Sequence, residues 1–209
     1  MWDTTHFRAT GATFEARIRM KRLLLLALVA ACSSSSPSGP DGSMSPDAAG
    51  SGMHGSEALY PLENAASWTY TVTAVGGGAV CAPGTYTQQI VSANPVGGRD
   101  AFQMTSFCSA IGGTYDYAAG SGDEVDFYYS GSWLVLVDPT LTEGHMWPYA
   151  NTSYHWERTT FPGYDDCWKA VQDVSYTAYL TYCRGVGLVE SYSEDLNHAG
   201  WDAKLTGHS

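Results

Sequence analysis

The sequence predicts an all-β chain, with a single antiparallel β-barrel or sandwich-like domain of about eight to ten short strands, stapled by disulfides. Three observations carry that prediction. Apolar and polar residues alternate with period two over much of residues 57–209. Gly, Asn and Pro cluster between the alternating runs, where hairpins need positive φ. No segment of this region carries a helical apolar stripe three turns long.

Each strand follows from its own pattern. In residues 67–75, Trp68, Tyr70, Val72 and Ala74 share one face, and Thr69, Thr71 and Thr73 share the other. Residues 85–91 place Tyr86 and Ile90 on one side. Residues 101–108 set Phe102 and Met104 against Gln103 and Thr105. Residues 125–129 alternate Val125, Phe127 and Tyr129, which leaves Asp126 on the solvated side. Residues 133–137 are apolar on both faces and are expected as a central strand. In residues 154–161, Tyr154, Trp156 and Arg158 oppose His155, Glu157 and Thr159. Further strands are expected at 174–182, 187–193 and 201–205. Turns are expected at 76–78, 94–98, 112–113, 120–122 and 131, and at Asp165-Asp166. Gly185-Val186-Gly187 precedes an alternating strand rather than a helix, so it is expected as a turn or bulge and not as a phosphate loop.

Upstream of this domain the composition changes. Residues 33–56 are Ser, Gly or Pro at 17 of 24 positions, which predicts a flexible tether with a reach of roughly 27 Å. Residues 20–31 (MKRLLLLALVAA) have a basic start and an apolar run too short to span a bilayer. Val29-Ala30-Ala31-Cys32 resembles the lipobox of bacterial lipoproteins. The resemblance implies cleavage before Cys32 and acylation of that cysteine by chains such as palmitate. Several acyl chains at about 0.8 kcal/mol per buried CH₂ give an essentially permanent anchor. Ser33 after the anchor suggests sorting to the outer membrane, facing the periplasm or the surface. Residues 1–19 are expected to be a non-structural extension, with the true start at Met20.

The cysteine count fits this division. Of Cys32, Cys81, Cys108, Cys167 and Cys183, the first goes to lipid and four remain for two bridges. Cys81–Cys108 and Cys167–Cys183 are the favoured pairing because each is local. Zinc is the rival use, but no CxxC knuckle is present.

Charge narrows the partners. The chain has a formal net charge of −11; five of ten basic and two of 21 acidic residues precede Cys32, which leaves −14 beyond it. No basic footprint for nucleic acid exists, and attraction to anionic lipid is disfavoured, so the acyl group must hold the membrane. The remaining partner is a small-molecule, glycan or protein ligand, and the chain is expected to be a monomer.

The catalytic signatures GxSxG, HExxH, GxxxxGK[ST] and GxGxxG are missing, and no catalytic residue, cofactor or metal is assigned. Asp123, Glu124 and Asp126 form the densest acidic cluster, without an EF-hand pattern. His145, His155 and His198 lack ligand spacing to one another. The candidate site is aromatic: Trp147, Tyr149, Tyr154 and Trp156 crowd one region around residues 148–153, where rings at a barrel mouth could stack on sugars or line an apolar pocket.

Two longer stretches add a resemblance. Residues 60–70 (YPLENAASWTY) and 182–189 (YCRGVGLV) resemble a group of predicted bacterial lipoproteins with a YPL…SWTY opening and a GVG-hydrophobic closing strand. It spans about residues 59–205 and implies an exported β-rich domain with no known activity. The expectation from the sequence is therefore an anchored, non-enzymatic lipoprotein with a binding or envelope-structural role. Its alternatives are a barrel that carries an apolar ligand and a hydrolase with a dispersed active site.

Overall fold

The computed structural model describes residues 55–76, 81–108 and 113–209, so the calls on residues 1–54, Cys32 included, lie outside the described residues. Twelve strands follow one another: β1 (Ser67–Val75), β2 (Gly84–Val96), β3 (Arg99–Thr105), β4 (Thr114–Ala119), β5 (Val125–Tyr129), β6 (Ser132–Val137), β7 (Met146–Tyr149), β8 (Thr152–Phe161), β9 (Tyr164–Gln172), β10 (Thr177–Cys183), β11 (Gly187–Glu194) and β12 (Gly200–His208). All pairings are antiparallel, in the order β6-β5-β4-β3-β2-β1-β12-β11-β10-β9-β8-β7. Each strand pairs with its chain neighbour, except that β1 pairs with β12 while β6 and β7 meet without a ladder. The result is an up-and-down, nearly closed barrel with one seam.

Register sorts the residues into an inside and an outside. One cross-barrel row runs Trp156–Ala170–Leu180–Ser191–Ala203–Val72, and five of these six residues are buried. The next row runs Glu157–Lys169–Thr181–Glu190–Lys204–Thr71, polar throughout. Lys204 reaches Glu190 at 3.5 Å and Asp202 at 3.0 Å on this outer surface. Apolar inside and charged outside is the arrangement of a water-exposed barrel and the inverse of a lipid-embedded one.

Several sequence expectations are corrected. The count is twelve strands, because β4, β7 and β9 are strands that the alternation alone does not reveal. Asp165 and Asp166 lie in β9, not in a turn. The 133–137 segment is not central: β6 is an edge of the hydrogen-bonded sheet, and β7 closes against that edge. Trp147 Nε1 donates to the Val135 carbonyl (3.2 Å) across this seam, and Trp156 Nε1 donates to the Asp138 carbonyl (3.3 Å). Pro148 is tolerated in β7 because an edge strand need not donate on both sides. Asp126 is not solvated; it is 3% exposed and ion-paired with Arg99. The expected turn at 94–98 shrinks to Gly97-Gly98. Their φ values of 55° and 79° suit a two-residue hairpin loop closed by the Val96–Arg99 pair.

One end of the barrel is stoppered by residues 57–62. Leu59, Tyr60 and Leu62 are buried to within 2%. The Leu59 N–H donates to Asp123 Oδ1 (2.8 Å), and the Gly185 N–H donates to the Ala58 carbonyl (2.8 Å). Arg184 grips Asp123 with both terminal nitrogens (3.2 and 3.1 Å), Asp166 at 2.9 Å and the Glu57 carbonyl at 3.1 Å. Asp123 is therefore consumed by an arginine and a backbone amide. The YPL…SWTY and GVGLV stretches meet here. Tyr60 packs edge-on against Trp68 at 5.5 Å, Trp68 Nε1 donates to the Val186 carbonyl (2.6 Å), and Tyr70 donates to the Leu188 carbonyl (2.8 Å).

Both favoured disulfides form. Cys167 and Cys183 sit directly opposite each other on β9 and β10, and their sulfurs pack under Val186 and Val189. Cys81–Cys108 joins the segment before β2 to the segment after β3, at the end of the barrel away from the stopper.

Candidate ligand site inside the barrel

The barrel is filled at the stoppered end and hollow towards the other. A cavity of about 370 Å³ lies between β2, β4, β5, β6 and β7, and its wall holds six aromatic rings, from Phe107, Tyr115, Tyr117, Phe127, Tyr129 and Tyr149. A deeper recess of about 120 Å³ shares Gln88, Phe107, Tyr117, Phe127 and Tyr149 with it and reaches Tyr60 and Tyr182 above the stopper. Tyr129 is 56% exposed, so the cavity reaches the surface at the ends of β5 and β7.

Pairing explains why the rings gather. Phe102, Tyr117, Phe127 and Leu134 form one inward row across β3 to β6. Phe127 contacts Tyr117 at 5.4 Å, Tyr115 at 5.6 Å and Tyr129 at 6.2 Å, each a favourable offset between rings. Alternation sends Asp116, Asp126 and Tyr128 outward from the same strands.

The electrostatics are those of an uncharged chamber. No charged residue lines the cavity or its recess. Burial raises the phenol pKa of Tyr117, Tyr149 and Tyr182 above the ordinary value, so all three stay protonated at any physiological pH. Gln88 brings the one carboxamide. It is 4% exposed, and its Oε1 lies 3.5 Å from the Tyr70 hydroxyl, which already donates to Leu188. Ser106 donates to the Cys108 carbonyl (3.2 Å) and accepts from the Cys108 N–H (3.1 Å).

The four aromatics singled out from the sequence are brought together, in two roles. Trp147, Tyr154 and Trp156 are buried on the inner side of β7 and β8, with Trp147 tilted against Trp156 at 4.6 Å and stacked on Tyr154 at 5.6 Å. They form the wall behind the cavity and fasten the seam. Tyr149, at 5.1 Å from Tyr154, is the member that faces the cavity. Four of the lining rings, Tyr115, Tyr117, Phe127 and Tyr129, come from β4 and β5, which sequence reasoning did not connect with a site. A signal existed for Gln88. It shares a strand face with Tyr86 and Ile90, and a carboxamide on an apolar face needs a partner.

The histidines lie elsewhere: His155 pairs with Asp173 at 2.9 Å, His145 with Asp138 at 3.1 Å, and His198 with Glu194.

No protein-family model matches the chain, and no curated protein or solved structure matches it. The fold and the cavity nonetheless define a class: a disulfide-bonded, up-and-down antiparallel barrel, polar outside, with an aromatic interior open towards one end.

Proposed function

We propose that this protein is an exported lipoprotein, held at the outer membrane by acyl chains on Cys32, whose barrel binds a small apolar ligand without transforming it. The observation that carries the reading is the aromatic cavity of about 370 Å³, within the range of small-molecule sites, in a barrel whose outer surface is polar. Water in an apolar chamber gains little from walls that offer few hydrogen bonds, so an apolar ligand that displaces it is favoured. Residues 57–62 form the stopper, so they and the cavity mouth lie at opposite ends of the barrel.

The test uses the full chain with Cys32→Ser, so that no acyl chain competes for the cavity. The neutral apolar dye N-phenyl-1-naphthylamine is expected to bind with one-to-one stoichiometry and to lose affinity at least about tenfold in Phe127→Ala. Absence of saturable binding overturns the ligand reading. In a bacterial host, incorporation of labelled palmitate into the native chain and its loss in Cys32→Ser tests the anchor separately.

A further inference from the structure

The polar atoms of the cavity carry more information than its apolar area. Gln88 is 96% removed from solvent, yet its carboxamide faces the cavity and its recess. Among the described residues its Nε2 has no hydrogen-bond acceptor. Its Oε1 has only the 3.5 Å approach of a Tyr70 hydroxyl committed to Leu188. Facing the cavity, this amide is free to donate to an acceptor that a ligand brings. Tyr117 and Tyr149 border the same space, and among the described residues their hydroxyls find no acceptor either. So three donors line a chamber among whose lining residues none carries a carboxylate.

We propose, resting on the ligand reading above, that the cavity takes a neutral aromatic or quinonoid molecule whose carbonyl or ether oxygen accepts hydrogen bonds from Gln88 Nε2 and the Tyr117 and Tyr149 hydroxyls. Charge is excluded on energetic grounds: an ion in a chamber without a counter-charge forfeits its hydration uncompensated. An acyl chain fits the apolar wall but leaves all three donors unpaired and surrenders the freedom of every rotor it orders. A rigid ring system avoids that cost and meets six aromatic rings on the wall.

The experiment is equilibrium dialysis of the full Cys32→Ser chain against four probes: 2-methyl-1,4-naphthoquinone, 2-methylnaphthalene, palmitate and benzyltrimethylammonium. The remaining four cysteines are in disulfides, so no thiol traps the quinone. The quinone is expected to bind at least about tenfold tighter than the matched hydrocarbon. Gln88→Leu should erase that margin while leaving 2-methylnaphthalene affinity within about twofold. Tyr117→Phe, which removes a single oxygen, should shrink the margin in the same direction, and it decides the matter if Gln88→Leu fails to fold. Equal binding of quinone and hydrocarbon, or an unchanged margin in both variants, overturns the acceptor assignment and leaves a general apolar site standing. Preference for palmitate or for the quaternary ammonium overturns the ligand class. No saturable binding of any probe overturns this inference and the broader reading together.

Discussion

Gly187 shows how a single missing Cβ shapes one end of the molecule. Its φ is +94°, a conformation that suits glycine, and an added Cβ would lie 2.6 Å from the Tyr60 ring. The stopper can therefore seat Tyr60 against Trp68 only because position 187 is bare. Gly187→Ala is expected to destabilise the fold by about 1–3 kcal/mol through backbone strain and displacement of Tyr60, measured by urea unfolding. A loss near zero would mean that the stopper does not depend on this contact. Trp156 has the opposite character: fully buried, it touches Trp147, Trp168 and Tyr182. Trp156→Ala should cost about 3–5 kcal/mol, and a cost under about 1 kcal/mol would contradict its place in the core.

At the scale of elements, the seam and the mouth set the barrel's behaviour. Strands β6 and β7 are edges, the usual starting points of unwanted pairing, and here each is covered by the other. At the mouth, Cys81–Cys108 closes a loop of 27 residues, beside Phe107 of the cavity wall. Chain entropy puts its contribution at about 3–4 kcal/mol. The double variant Cys81→Ser/Cys108→Ser is expected to lose about that much in chemical denaturation and to bind N-phenyl-1-naphthylamine more weakly, as the Phe107 segment loosens. Loss of stability with dye binding unchanged would show that the staple supports the fold but not the site. Most strands legible in the sequence were those with a polar outer face, such as β1 with its three threonines. β7 and β9 were hidden for a local reason. A four-residue strand containing Pro148 and a strand beginning Tyr164-Asp165-Asp166 both look like turns until a neighbouring strand supplies hydrogen-bond partners.

For the whole molecule, buried tyrosines predict the response to alkali. Burial raises the pKa of Tyr60, Tyr70, Tyr117 and Tyr182 in the folded state, while the unfolded chain titrates near the ordinary value of about 10. Below about pH 10 both states hold these protons and the four groups contribute no pH dependence. Above it the unfolded state releases protons that the folded state keeps, so stability falls as pH rises, by up to about 1.4 kcal/mol per pH unit for each tyrosine. Near-ultraviolet absorbance should therefore show a late cooperative ionisation that coincides with loss of tryptophan emission. A gradual ionisation of every tyrosine near pH 10 in a still-folded chain would refute it. Tyr192 stands apart on the outer surface, where its hydrogen bond to Glu194 (2.6 Å) raises its pKa to about 12.

The sequence by itself determined the all-β class and which faces of most strands are apolar, because period-two alternation is a short-range property, and it favoured, among three possible pairings, the two local disulfides that the structure forms. It also marked Tyr149 and its neighbours as aromatic company. Only the tertiary structure decided that the sheet closes into a barrel rather than splitting into a sandwich, since β1–β12 pairing joins residues more than 120 positions apart. The same closure carries Gln88 of β2, Tyr117 of β4 and Tyr149 of β7 to one chamber, and turns Asp123 from a possible ion ligand into the anchor of the stopper. A site assembled across a barrel depends on register and curvature summed over several strands, and no local pattern encodes that sum.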